Sequence, residues 1–176
     1  RMEVKDILAY LKVILNPNDA VWLKRIINTP TRKIWATTIS KLDDYKNNFW
    51  VSYIQILENV EEIDELNSWA KRAITWFYET ITDLMDASKR LVVWDLIDYV
   101  IEKIRYEEYL KDDSSRDEYE ARIENLKELK NVASTYNWMD PRDSLNQFLE
   151  EVALLTDLDN KDKDLQDVVT LMTIHT

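Results

Sequence analysis

The chain has no glycine and no cysteine among its 176 residues, and it has only one histidine and three prolines. A glycine-rich loop whose backbone N–H groups cradle a phosphate is therefore excluded. Without cysteine there are no disulfides and no thiolate ligands for zinc. Because one imidazole leaves only carboxylates as metal ligands, we expect no metal site and no bound cofactor.

Long hydrophobic runs are also missing. No apolar stretch approaches the roughly 18 residues that a membrane-spanning helix needs, and residues 1–6 do not have the pattern of a signal peptide. We therefore expect a cytoplasmic protein without a membrane partner. The chain is 45% apolar and shows no shift in composition along its length. This predicts a single compact domain with a sizeable core.

Positive charge is scarce overall but concentrated in one region. The net charge of −11 argues against a general nucleic-acid binder. Residues 20–46 nevertheless carry six Lys or Arg against two Asp, whereas residues 140–167 carry nine acids against three bases. The sequence therefore predicts one basic end and one acidic end.

Apolar residues recur at three- and four-residue spacing along most of the chain, which predicts an all-α fold of many helices. The predicted helices span residues 3–15, 20–27, 52–58, 61–86, 91–104, 115–136 and 141–155, and a further helix opens at Thr37 or Thr38. Residues 157–167 are charged and aperiodic, so we expect a connector there. β-branched residues at 168–174 predict a short C-terminal strand.

Six fragments, in order, resemble the UvrD/PcrA family of ATP-dependent DNA helicases: residues 3–12, 16–19, 25–32, 121–126, 148–154 and 169–175. The resemblance implies a 2B subdomain, a helical insertion in the second motor domain. It implies that residues 1–27 form helices from the neighbouring 2A side and hinge, that residues 28–164 form the 2B-like body, and that residues 165–176 return to 2A. The nucleotide-binding motifs of the family are absent here, so we expect no ATPase activity from this chain alone.

Residues 28–38 match the family's turn, similar to a helix-hairpin-helix, that touches the backbone of duplex DNA ahead of the fork. Lys33 and Trp35 stand where the family has glycines. A lysine offers a charge to phosphate, whereas an indole obstructs close approach, so a turn without a ligand is the alternative interpretation. The candidate DNA contacts are Lys24, Thr29, Thr31, Arg32, Lys33 and Lys41, and the candidate contact aromatics are Trp35 and Trp50.

A chain of this length would ordinarily hold about a dozen glycines. Natural divergence and deliberate redesign both explain their absence, and redesign is the favoured interpretation. Trp50, Trp76 and Arg105 also fall near predicted helix ends or bends where the family often has small residues. Trp69, Trp76 and Trp94 lie on apolar stripes, which predicts core positions.

The remaining sequence patterns do not indicate a catalytic or metal-binding site. Adjacent carboxylates such as Glu61-Glu62 point about 100° apart on a helix and are interpreted as solvated faces. Residues 157–164 alternate acids but lack the glycine and final glutamate of a calcium loop. His175 has no catalytic partner in the sequence.

Three hypotheses follow. The first is a non-catalytic, regulatory, duplex-contacting subdomain of a 3′–5′ helicase of DNA repair or replication, whose partners are a single/double-strand junction and the rest of the motor. The second is an engineered helical scaffold with a designed pocket or a self-association surface and no DNA role. The third, an independent enzyme, has no convergent set of residues to support it.

Overall fold

A computed structural model describes the backbone of residues 1–164 and the side chains of residues 1–154. Within that part of the chain every regular element is helical, which confirms the all-α prediction. The α-helices are α1 (Met2–Leu15), α2 (Ala20–Ile26), α3 (Ala36–Phe49), α4 (Tyr53–Glu58), α5 (Ser68–Ala87), α6 (Val93–Lys103), α7 (Tyr106–Asp112), α8 (Arg116–Ala133) and α9 (Pro141–Asp164). Single 3₁₀ turns lie at Val60–Glu62 and Ser134–Tyr136.

Helix α1 lies at the centre of the molecule. It packs against α2, α5, α6, α8 and α9. Ile7, Ala9, Tyr10, Leu11 and Val13 are all fully buried, so this helix is covered on nearly every side. Residues 1–27 thus pack as part of the same body as the rest of the described chain, and their assignment to a neighbouring subdomain stays a prediction.

Side-chain caps explain where several helices begin. The Asp19 carboxylate accepts hydrogen bonds from the N–H groups of Val21 and Trp22 at the start of α2. Ser115 and Glu118 form a capping box at the start of α8. These helices begin within a residue or two of the predicted positions.

Two predicted boundaries are wrong, and one helix was not predicted. The long helix predicted at 61–86 begins only at Ser68, because the Asn67 side chain caps it by accepting from the N–H of Ala70 at 2.8 Å. The short helix α7 was not predicted. The helix from Pro141 continues to Asp164 rather than ending near residue 155, since neither glycine nor proline interrupts it.

The longer α9 also corrects two smaller expectations. Residues 157–164 are helical rather than a connector, so they do not form a calcium-binding loop. The strand predicted at residues 168–174 and the side chain of His175 lie outside the described residues. None of the helices in residues 1–164 is long and apolar enough to cross a membrane.

In the described part of the chain, three residues have left-handed backbone conformations: Lys33 at φ 59°, Trp50 at φ 55° and Arg105 at φ 53°. Trp50 ends α3 and Arg105 immediately precedes α7. These are positions that glycine ordinarily occupies, because a Cβ atom is strained there. The prediction that Trp50 and Arg105 stand at helix ends is confirmed, whereas Trp76 lies within α5.

Two tryptophans predicted to be in the core are half-exposed. Trp69 is 41% exposed and Trp76 is 47% exposed, although both lie on α5 beside a fully buried stripe. Trp94 is partly buried, with the Lys130 ammonium 4.1 Å from its ring. The indoles of α5 therefore lie at the edge of the apolar stripe, where the sequence pattern does not distinguish core from surface.

Candidate nucleic-acid interface

The segment between α2 and α3, residues 27–35, forms a tight turn that we call the basic turn. Asn28 organises it, because its side-chain carbonyl accepts from the N–H of Arg32 at 2.8 Å and from the N–H of Ile34 at 3.1 Å. Ile34 is 1% exposed and anchors the turn in the core. The turn is therefore held by hydrogen bonds on its inner side and by a buried side chain.

Arg32 points its donors into the protein. Its Nη1 donates to the carbonyl oxygens of Ile26 at 2.9 Å and Ile27 at 3.2 Å. These carbonyls end α2, where the helix leaves acceptors without intrahelical donors and where a cation interacts favourably with the helix dipole. Its Nη2 donates to the Tyr10 hydroxyl at 2.6 Å. Arg32 therefore caps α2, which the sequence did not indicate.

Tyr10 connects the turn to the central helix. Its hydroxyl donates to the carbonyl oxygen of Thr29 at 2.6 Å while accepting from Arg32. Burial raises the pKa of Tyr10, and the nearby Arg32 guanidinium partly opposes that rise. The neutral hydroxyl is the form that makes both contacts, since a phenolate could not donate to a carbonyl.

A second buried contact lies one turn earlier in α1. The Asp6 carboxylate accepts from Arg25 Nη2 at 2.7 Å and from the Tyr106 hydroxyl at 2.7 Å, which joins α1, α2 and α7. Burial, followed by the hydrogen bond to Asp6, holds the pKa of Tyr106 well above its usual range. Neither Asp6 nor Tyr106 was singled out from the sequence, because 100 positions separate them.

These two tyrosines predict a loss of stability at alkaline pH. Below about pH 10 both are neutral whether the chain is folded or unfolded, and their contribution is complete. Above it, the unfolded chain releases phenolic protons that the folded chain retains, so the free energy of unfolding should fall by up to roughly 1.4 kcal/mol per pH unit for each tyrosine. Urea unfolding between about pH 9 and pH 11 measures this slope. The Tyr106→Phe variant should show a shallower fall, and parallel profiles would contradict the assignment.

The outer side of the basic turn is open to solvent. Thr31 and Lys33 are exposed, and Trp35 is 59% exposed. Trp35 is also the residue that precedes α3, and its side chain makes no capping hydrogen bond to the first turn of that helix. Its φ of −84° is an ordinary extended value, so only Lys33 of the two substituted positions has a backbone that favours glycine.

The other predicted contacts are engaged with the protein. Lys24 lies 2.6 Å from the Asp43 carboxylate and over the ring of Tyr53, and Lys41 Nζ donates to the carbonyl oxygen of Glu65 at 2.7 Å. The Thr29 hydroxyl donates to the carbonyl oxygen of Arg25 at 3.2 Å. Among the predicted cations, Lys33 is therefore the one most directly available to a ligand.

The two predicted contact aromatics do not share a surface. Trp50 is 93% exposed but follows the C-terminus of α3, whereas Trp35 precedes its N-terminus. At 1.5 Å per residue, the helix separates them by roughly 20 Å. Only Trp35 belongs to the basic turn.

An acidic groove borders the turn on its other side. This open groove, about 430 Å³ in volume, lies between Pro30 and Thr31 of the turn and α7. Its remaining lining residues are Ile104, Arg105, Glu108, Tyr109, Asp112 and Asp113. A polyanion is therefore disfavoured on the α7 side of the turn. No group of three His, Cys, Asp or Glu residues in the described part of the chain is arranged to hold a metal ion.

The described part of the chain is thus an all-helical body with an exposed basic turn. The sequence profile of the UvrD-like helicase C-terminal domain matches residues 1–176, and the chain belongs to that family. It is 32% identical over 180 residues to the ATP-dependent DNA helicase PcrA of Bacillus subtilis (strain 168). It is 36% identical over 177 residues to PcrA of Staphylococcus epidermidis and 32% identical over 177 residues to PcrA of Staphylococcus aureus.

Each of these alignments covers 99% of this chain but only 24% of the relative. The chain thus spans about a quarter of the length of the relatives that it matches. The whole chain matches the family, but the helicase named in these relatives is a much longer protein.

Proposed function

We propose that this chain is the 2B subdomain region of a UvrD/PcrA-like 3′–5′ DNA helicase of DNA repair or replication, working in the cytoplasm with the rest of the motor. It contacts duplex DNA near a single/double-strand junction through the basic turn and modulates unwinding without hydrolysing ATP. The observation that supports this most is the construction of the turn. Asn28, Arg32 and Ile34 fix its inner side, while Thr31 and Lys33 remain exposed.

The proposed contacts have two different roles. Lys33 offers an ammonium to a phosphate oxygen, and the Thr31 hydroxyl can donate to a neighbouring one. Arg32 holds the turn through the α2 carbonyls and Tyr10, and its positive charge adds to the local field. Lys41 lies farther along the same basic region and strengthens the long-range attraction, whereas Asp43 compensates the charge of Lys24.

Neutralising Lys33 tests the proposal directly. We expect Lys33→Gln to weaken binding to a labelled duplex several-fold at low salt and to lower the slope of log affinity against log salt by about 1, because one phosphate contact is lost. Fluorescence anisotropy at several salt concentrations measures both quantities.

Lys127→Gln is the matched control, since Lys127 is an exposed lysine on α8 and the net charge changes equally. Equal effects of the two variants would contradict a contact at the turn. Absence of any duplex binding by the wild-type chain would contradict the proposed function. Arg32 is unsuited to this test, because its replacement removes the cap of α2.

The left-handed lysine, tryptophan and arginine support a second candidate, an engineered scaffold derived from this subdomain. In that case the exposed indoles would form a self-association surface. Sedimentation of the chain over a range of concentrations tests the self-association surface, since a monomer at all concentrations excludes it, whereas a designed pocket would need a ligand screen.

A further inference from the structure

Two half-exposed tryptophans lie along one edge of α5. Trp69 and Trp76 are seven residues apart, which is two helical turns, so they share a face and are separated by roughly 10 Å along the axis. They are 41% and 47% exposed, whereas Ile74, Phe77 and Ile81 on the adjoining stripe are fully buried. An apolar surface of two indoles is thus available to a partner.

This edge is continuous with the basic turn. The Arg32 guanidinium lies 5.2 Å from the Trp76 ring and 5.1 Å from the Phe77 ring. Arg32 therefore places the basic turn against the middle of α5. We call this combined surface the indole face: Trp69, Arg72 and Trp76 of α5 with Arg32 and the neighbouring Lys33 of the turn.

The charge of the indole face is complementary to a polyanion. Within the described residues, Arg32, Lys33 and Arg72 form no ion pair with a carboxylate. Arg32 interacts with carbonyl and hydroxyl oxygens, which leave its charge uncompensated. Glu65 and Glu79 flank the two ends of the tryptophan edge in sequence, and the acidic groove along α7 lies on the other side of the turn. The cations of the indole face therefore favour a polyanion more than the carboxylates along α7 do.

We propose that the indole face binds the unpaired strand of a tailed DNA duplex by stacking bases on Trp69 and Trp76. This inference rests on the proposed duplex contact and extends it. Bases stack on aromatic side chains irrespective of sequence, and arginine beside an aromatic ring adds a cation–π contribution. Lys33 and the turn contact the duplex backbone, while the adjacent indoles receive the nucleotides where pairing ends.

The test compares a blunt duplex with the same duplex carrying a single-stranded thymidine tail. For the wild-type chain, the tail should raise the affinity for the duplex about 5-fold or more, which corresponds to at least one stacked base. Stacking should also quench tryptophan fluorescence. Trp69→Ala and Trp76→Leu should each lose most of the tail's advantage while binding the blunt duplex as before. Trp76→Phe, which keeps an aromatic ring, should retain part of it.

Trp138→Ala is the matched control, because Trp138 is 79% exposed but lies between the second 3₁₀ turn and α9. It should leave the tail's advantage unchanged. Circular dichroism of each variant verifies that the fold is retained, and Trp69→Ala serves alone if Trp76→Leu fails to fold.

Any of the following results would overturn the inference. Equal binding of tailed and blunt duplexes by the wild-type chain overturns it and leaves the duplex contact standing. A tail advantage that survives both tryptophan variants places the unpaired strand elsewhere. Failure to bind any DNA overturns both proposals. A concentration-dependent dimer that only Trp69→Ala and Trp76→Leu abolish would assign the indole face to a second copy of the chain.

Discussion

Replacing Lys33, Trp50 and Arg105 together by glycine should stabilise the fold by about 2–3 kcal/mol. Each residue has φ between 53° and 59°, where a Cβ atom crowds the backbone. The left-handed conformation costs a non-glycine residue roughly 1–2 kcal/mol, and the greater freedom of glycine in the unfolded chain offsets part of that gain. The three positions lie in separate turns, so their effects should add.

The measurement is the urea midpoint at unchanged slope, together with the thermal midpoint, which should rise by about 4–12 °C for a chain of this size. Lys127→Gly is the control, since Lys127 lies inside α8, where glycine should cost about 1 kcal/mol. A triple variant no more stable than the wild type would show that the three left-handed turns are not strained.

The three single glycine variants separate the effect on stability from the effect on DNA binding. Lys33→Gly relieves the backbone but removes the ammonium that we assign to phosphate, whereas Trp50→Gly and Arg105→Gly relieve the backbone outside the basic turn. We therefore expect stability to rise in all three single variants. Duplex affinity should change mainly in Lys33→Gly. That variant loses a charge, which weakens binding, and lets the backbone approach phosphate more closely, which strengthens it.

The sequence predicted most of the helices because their apolar residues recur at helical spacing and their caps are local. Asp19 and Ser115 are examples in which one side chain determines where a helix begins. Helix α7 was missed because Arg105, rather than glycine, makes the left-handed break before it. Trp76 was misassigned because a residue at the edge of a stripe has the same spacing as one at its centre.

The basic turn was predictable as a location but its construction was not. Local charge indicated residues 20–46 and the family resemblance indicated residues 28–38, and the exposure of Lys33 is consistent with that prediction. The role of Arg32 depends on Tyr10, which lies 22 positions earlier, and on its approach to Trp76. Contacts of this kind arise from the packing of α1 and α5 against the turn, which a single sequence does not encode in any short pattern.

Asp6→Ala should be the most destabilising substitution that we predict, with a loss of about 2–4 kcal/mol. The Asp6 side chain is 5% exposed and accepts from both Arg25 and Tyr106. Its removal leaves the Arg25 charge unpaired and the Tyr106 hydroxyl without an acceptor. The expected loss is slightly below that of a fully buried pair, because the Arg25 side chain is 34% exposed and water can reach it.

Asp98→Ala provides the comparison, since Asp98 is also a helical aspartate paired with a cation, Lys130, but its side chain is 48% exposed. That variant should lose less than about 1 kcal/mol. Urea unfolding measures both, and equal losses would contradict a structural role for the buried pair. The Asp6→Ala/Arg25→Met double variant should recover part of the loss, because no unpaired charge then remains.

The consequence of losing Asp6 should extend to the basic turn. Asp6 and Tyr10 lie one helical turn apart on α1, and Tyr10 holds both Thr29 and Arg32. A less firmly held α1 should therefore loosen the turn before the whole domain unfolds. In Asp6→Ala, under conditions where the protein remains folded, we expect faster hydrogen exchange at the amides of Arg32 and Ile34. Both N–H groups donate to the side chain of Asn28. Unchanged exchange at these two amides would show that the turn is independent of the buried pair, and Asp6 would then act on global stability alone.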